Sequence, residues 1–170
     1  MEKNYWQPIR DFLDQIEVLH PIDTGTPKKF GKFGSIKACI FDVYGTLLIS
    51  DSGDIGQADF SDKALGFAFK KAGIELNVKE KEKRDLLDDI LQSFKNTVKD
   101  IHEHKRMQGI QFPEVDFVDV WTKVLKEYNK AGKFSFYSEE YLKLFTFLFE
   151  LMSNKIYPMP YMNEVIYKLN

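Results

Sequence analysis

Asp42, Val43, Tyr44, Gly45 and Thr46 form the one stretch whose residue types and order invite a chemical role. The run before it, Ile36-Lys37-Ala38-Cys39-Ile40-Phe41, is apolar enough for a buried strand, and the apolar pattern resumes at Leu47 and Leu48. A buried strand that ends on a carboxylate is costly unless that carboxylate has a partner or a task. In an open parallel sheet, ligands bind at the carboxyl ends of the strands. Asp42 is therefore the leading candidate for a reactive group, and Gly45 is the residue that lets the backbone turn tightly behind it.

Other polar groups offer less. Asp51 and Asp54 resemble metal ligands in type, but they sit with Ser50, Ser52, Gly53 and Gly56 in a turn-rich stretch. Asp and Ser there are expected to bond their own backbone, at the tip of a short hairpin. His102 and His104 fall on a helical pattern two residues apart, so they point about 200° from one another and cannot share a metal ion. Cys39 lies inside the expected strand and reads as a small apolar residue, not a reactive thiol. Lys28, Lys29 and Lys32 lie near Phe30 and Phe33. They could meet a phosphate or a partner, and a solvated linker is the plainer reading.

The elements that must position these residues are mostly helical. Residues 5–19 place Ile9, Phe12, Leu13, Ile16 and Leu19 on one face, ahead of a Pro- and Gly-containing loop at 20–27. Ser61 or Asp59 caps a helix that ends at Gly73. Asn77 with Glu80 three positions on predicts a capping box. It opens a long helix through Leu86, Leu87, Ile90, Leu91, Phe94, Val98 and Ile101 that ends before Gly109. A further amphipathic helix carries Phe117, Val120, Trp121, Val124, Leu125 and Tyr128 and ends near Gly132. Ser138 then caps an aromatic helix from Tyr141 to Leu151 that is apolar nearly all round, the pattern of a helix buried between neighbours. Pro158 and Pro160 introduce a last short helix whose apolar face is Met162, Val165, Ile166 and Leu169.

Composition sets the class. A chain of 170 residues supports one domain with a real core. Its 15 Phe and 8 Tyr supply large side chains for the seams between packed elements. A net charge of -2 argues against a nucleic-acid partner held by bulk charge. The start of the chain lacks the pattern of a signal peptide, and no apolar run is long enough to span a membrane, so the expected location is cytoplasmic. One cysteine excludes an internal disulfide.

The octet Phe41-Asp42-Val43-Tyr44-Gly45-Thr46-Leu47-Leu48 resembles motif I of the haloacid dehalogenase (HAD) superfamily of hydrolases: an apolar strand, then Asp, a variable pair, and Gly-Thr-Leu. The layout is similar too, with a short turn and flap after the motif, then a helical cap insertion and a return near 158–169. Phe112-Pro113-Glu114-Val115 followed by Trp121 looks like the cap of one branch. The resemblance covers about residues 36–170. It implies an α/β HAD-like fold, with a Rossmann-like core that is incomplete here and a mainly α-helical cap, so the chain as a whole is predominantly helical. The implied organisation is an N-terminal arm and linker at 1–35, first core strand, motif I and flap at 36–57, a helical cap at 58–155, and a return to the core at 156–170.

The resemblance implies a hydrolase in which Asp42 is the nucleophile. It attacks a small-molecule substrate to form a covalent aspartyl intermediate that water hydrolyses. Aspartic acid has a reference pKa near ~3.9, so the residue type is ionised at pH 7 as the role requires. Tyr44 stands where phosphatases of the family usually carry a second Asp as general acid/base, with Gly45 and Thr46 completing the motif. Tyrosine, with a reference pKa near ~10, is a poor proton shuttle at neutral pH. A leaving alkoxide needs that proton and a halide does not. Tyr44 thus resembles the 2-haloacid dehalogenase-like branch more than the phosphatases. Magnesium is implied only in a metal-dependent branch, where Asp42 would be a ligand; a dehalogenase-like branch needs no cofactor.

The family's Ser or Thr from motif II, Lys from a later motif and acidic residues of motif IV would all lie beyond Asn170. The expectation is a chain cut just before motif II, with its own activity left open. The competing expectation is a truncated, non-catalytic helical fragment or interaction module lacking motifs II to IV.

Overall fold

A computed structural model describes residues 7–14, 18–27, 29, 31, 34–51, 60–134 and 139–169. They form six helices and two short strands: α1 (Gln7–Leu13), β1 (Leu48–Ser50), α2 (Asp62–Ala72), α3 (Glu80–Met107), α4 (Phe117–Lys130), α5 (Glu139–Ser153), β2 (Ile156–Pro158) and α6 (Met162–Leu169). Two compact units emerge, Met1–Gln15 with Asp59–Ser153, and Ile16–Ala58 with Asn154–Asn170. The first is called here the helical unit and the second the turn unit.

In the helical unit, local chemistry starts and stops the helices largely where the pattern predicts. Ser61 Oγ accepts the Ala64 N–H at 3.3 Å and begins α2. Gly73 ends it in the left-handed region at φ 71°, with Ile74 N–H returning to the Phe69 carbonyl at 3.0 Å. The alternative cap, Asp59, lies outside the described residues. Asp116 caps α4 by accepting the N–H groups of Val118 at 2.8 Å and Asp119 at 3.3 Å. Helix α3 stops at Met107, ahead of Gly109 at φ 88°. The expected cap Ser138 of α5 also lies outside the described residues.

One cap differs from expectation. Helix α3 begins after Lys79 with no side-chain cap, so the predicted capping box at Asn77 does not form. The Asn77 N–H instead donates to the Lys133 carbonyl at 2.7 Å, and its Nδ2 reaches the Gly132 carbonyl at 3.5 Å. A bond to the end of α4 has taken the residue that local capping would have used. Glu80 and Glu82 in the first turn of α3 still complement the positive end of the helix dipole.

Packing follows the apolar stripes. Helix α2 lies most extensively against α5 and α3 against α4, while α2 also meets α3 and α4 also meets α5. Each helix thus has two neighbours, which closes a core among the four. Ala64, Leu65, Ala68, Phe69 and Ala72 line the buried face of α2, and Leu86, Ile90, Leu91 and Phe94 that of α3. Helix α5 buries Leu142, Leu144, Phe145, Leu148, Phe149 and Leu151, as its nearly all-round apolar pattern predicts, and leaves Phe147 exposed. The centre is aromatic. Phe94 stacks on Trp121 with ring centroids 4.3 Å apart, and Trp121 meets Phe145 and Phe149 edge-on at 5.0 and 4.9 Å. Such pairs add about 0.5–1.5 kcal/mol each beyond the area they bury.

The turn unit departs further from the sequence-based expectation. Its sheet is one antiparallel pair, with Leu48 opposite Pro158, Ile49 opposite Tyr157 and Ser50 opposite Ile156. The partner of β1 is therefore β2, from the far side of the helical unit in sequence. Most of the expected hairpin tip at 49–56 lies outside the described residues, and its first two residues, Ile49 and Ser50, belong to β1. The buried strand predicted at 36–41 does not form: those residues lie in no strand, and Ile40 is 100% exposed. Cys39, expected to be buried there, is exposed with it. A strand holds its shape by pairing its N–H and C=O groups with a neighbour, and among the described residues no β-pairing engages this segment. A parallel Rossmann-like sheet is thus not present among the described residues. Helix α6 forms where Pro158 and Pro160 predict it, with none of its residues buried.

Candidate functional site

Asp42 is exposed and lies on non-helical backbone directly before a tight turn. Val43 anchors that turn: its carbonyl accepts the N–H groups of both Leu47 and Leu48 at 2.8 Å. The Gly45 N–H closes it from inside by donating to the Leu48 carbonyl at 2.8 Å. Gly45 holds φ 78°, the left-handed region that L residues enter at a cost of about 1–2 kcal/mol. A Cβ built there would meet nothing within 4 Å, so the demand for glycine is one of backbone conformation and not of space. Tyr44, which is 40% exposed, is bridged to Leu48, and Thr46 is exposed on the turn.

The ribbon of β1 and β2 holds the turn in place. Its ladder continues past the strands on both sides: Met159 N–H donates to the Leu47 carbonyl at 2.9 Å, and Asp51 N–H donates to the Lys155 carbonyl at 2.9 Å. Ser50 Oγ also bonds Asn154 Oδ1 at 2.8 Å. Asp42 therefore precedes a turn whose exit is pinned by residues 154–159. Sequence reasoning missed β2. Ile156 and Tyr157 are β-prone types, but Pro158 masked the strand; proline is tolerated at the edge of a sheet, where its missing N–H leaves no ladder bond broken.

The arrangement presents one carboxylate on a constrained turn. Among the described residues no hydrogen bond or ion pair engages it, and no group of three or more His, Cys, Asp or Glu residues gathers to hold a metal ion. A magnesium ion takes about six oxygen ligands, whereas Asp42 and the Tyr44 carbonyl would bring two. These residues do not fit a metal centre.

The remaining candidates take ordinary places. Asp51 lies at the end of β1 with its N–H in the ladder, and Asp54 lies outside the described residues. His104 Nε2 pairs with Gln108 Nε2 at 3.0 Å one turn along α3, while His102 is half-buried. Lys29 is exposed; Lys28 and Lys32 lie outside the described residues. The aromatic helix α5 packs the rings of Phe145 and Phe149 into the core.

One titrating group in the helical unit has a displaced equilibrium that the sequence did not signal. Partial burial pushes the Glu150 carboxyl above the usual carboxylate range, and the charge of Asp116 pushes it the same way. Asp116 is the cap of α4 and Glu150 lies near the end of α5, so only packing brings the two within reach of one another.

No family model, curated protein or solved structure matches this chain. No helix among the described residues is long and apolar enough to cross a membrane.

Proposed function

We propose that this chain carries the nucleophile and helical cap of a HAD-like hydrolase, with Asp42 attacking a small-molecule substrate. The observation that carries this reading is the pairing of β1 with β2. The motif resemblance at 41–48 implies a turn and a flap after the nucleophile, with a helical insertion before the return to the core. The turn at 43–48, the β1–β2 ribbon and the helical unit between its strands in sequence have that order.

In this reading the Asp42 carboxylate displaces a leaving group from the substrate. One carboxylate oxygen forms the new bond, the leaving group departs with its bonding electrons, and water then cleaves the ester or acyl phosphate. Tyr44 favours leaving groups that need no proton, such as halide from a 2-haloacid, over alkoxide from an alkyl phosphate. Cytoplasmic location and a small-molecule partner belong to the same reading.

The test is a single turnover in ¹⁸O-water with the protein in excess, using 2-haloacids and aryl phosphates, for the wild-type chain and Asp42→Asn. Dehalogenation through an ester leaves one ¹⁸O in Asp42, because water attacks the aspartyl carbonyl carbon. Phosphoryl transfer with attack of water at phosphorus leaves ¹⁸O in the released phosphate. Turnover that Asp42→Asn leaves intact overturns the reading, and no turnover by the wild-type chain on either class favours the non-catalytic reading below.

A second reading rests on the contrast between the units. The helical unit has a closed aromatic core, whereas residues 36–44 are exposed and two of them, Ile36 and Ile40, are largely or wholly open to solvent. In that reading the chain is a non-catalytic helical interaction module, and Asp42→Asn is silent in every assay.

A further inference from the structure

We draw no further inference here: the strongest candidate, the apolar residues exposed at 36–44 and on α6 in the turn unit, carries nothing because no feature of the structure shows what covers them.

Discussion

Leu47 and Met159 stand on opposite sides of the helical unit in sequence, yet the Met159 N–H donates to the Leu47 carbonyl at 2.9 Å. That bond extends the three-residue ladder of β1 and β2 up to the turn that follows Asp42. The two stretches of chain that make up the turn unit are thus tied together at the turn that follows Asp42.

Amide hydrogen exchange tests this ribbon. The Asp51 and Met159 amides are expected to be protected, along with Leu47 and Leu48, whose N–H groups bond the Val43 carbonyl. The amides of residues 36–41 are expected to exchange fast, since they lie in no strand. A slow Ile40 amide would show that this segment has found a strand partner.

Gly45→Ala isolates the cost of the turn. With φ at 78° and open space around the position, the substitution strains the backbone by about 1–2 kcal/mol without a clash. The expected outcome is loss of protection at Leu47 and Leu48 and a parallel fall in any Asp42-dependent turnover, with the melting of the helical unit unchanged. Unaltered exchange at both amides would count against the turn as described.

Tyr44→Asp probes leaving-group chemistry. A carboxyl group there would supply the general acid that tyrosine does not, an effect worth about 10²–10⁴-fold when well placed. Hydrolysis of alkyl phosphates should rise relative to halide release, read as a ratio of kcat/KM values. An unchanged ratio would remove Tyr44 from the determinants of substrate choice.

The core predicts its own sensitivity. Phe94 is fully buried and touches Phe60, Phe117, Trp121 and Phe149 through its ring. Phe94→Ala should destabilise the helical unit by about 3–5 kcal/mol, measured by urea denaturation. A loss below about 1 kcal/mol would mean that the rings are not closely packed.

Glu150 makes stability depend on pH in a defined direction. Its folded-state pKa is raised, so the folded state favours the protonated form. The penalty for holding it ionised is fully present above the folded value and disappears as pH falls below the unfolded value, near ~4.3. Glu150→Gln should therefore stabilise the helical unit at pH 7 by about a few tenths of a kcal/mol after allowance for solvent screening, seen as a higher melting temperature, and the difference should fade as pH drops well below the unfolded value. Asp116→Asn keeps a capping oxygen while removing the charge that adds to the shift, so in that background the gain from Glu150→Gln should shrink. A Glu150→Gln variant less stable than wild type at pH 7 would reverse the sign and refute the account.

The sequence by itself determined the helices of the helical unit, because their signals are local. Apolar residues spaced three and four apart specify the buried faces of α2, α3 and α4, and Ser61, Gly73 and Gly109 mark ends through bonds to their own near neighbours. It also singled out Asp42 and placed Gly45 at the turn behind it. Tertiary structure alone decided the rest. Asn77 leaves its predicted cap because the end of α4 offers it partners, and β1 finds its mate in β2 across the whole helical unit. The segment 36–41 is apolar enough to be a buried strand and is not one, since strand character depends on a neighbour that supplies hydrogen bonds and covers the faces. A helix satisfies its backbone within its own residues, whereas a strand depends on another segment, which is why periodicity revealed the former and could not settle the latter.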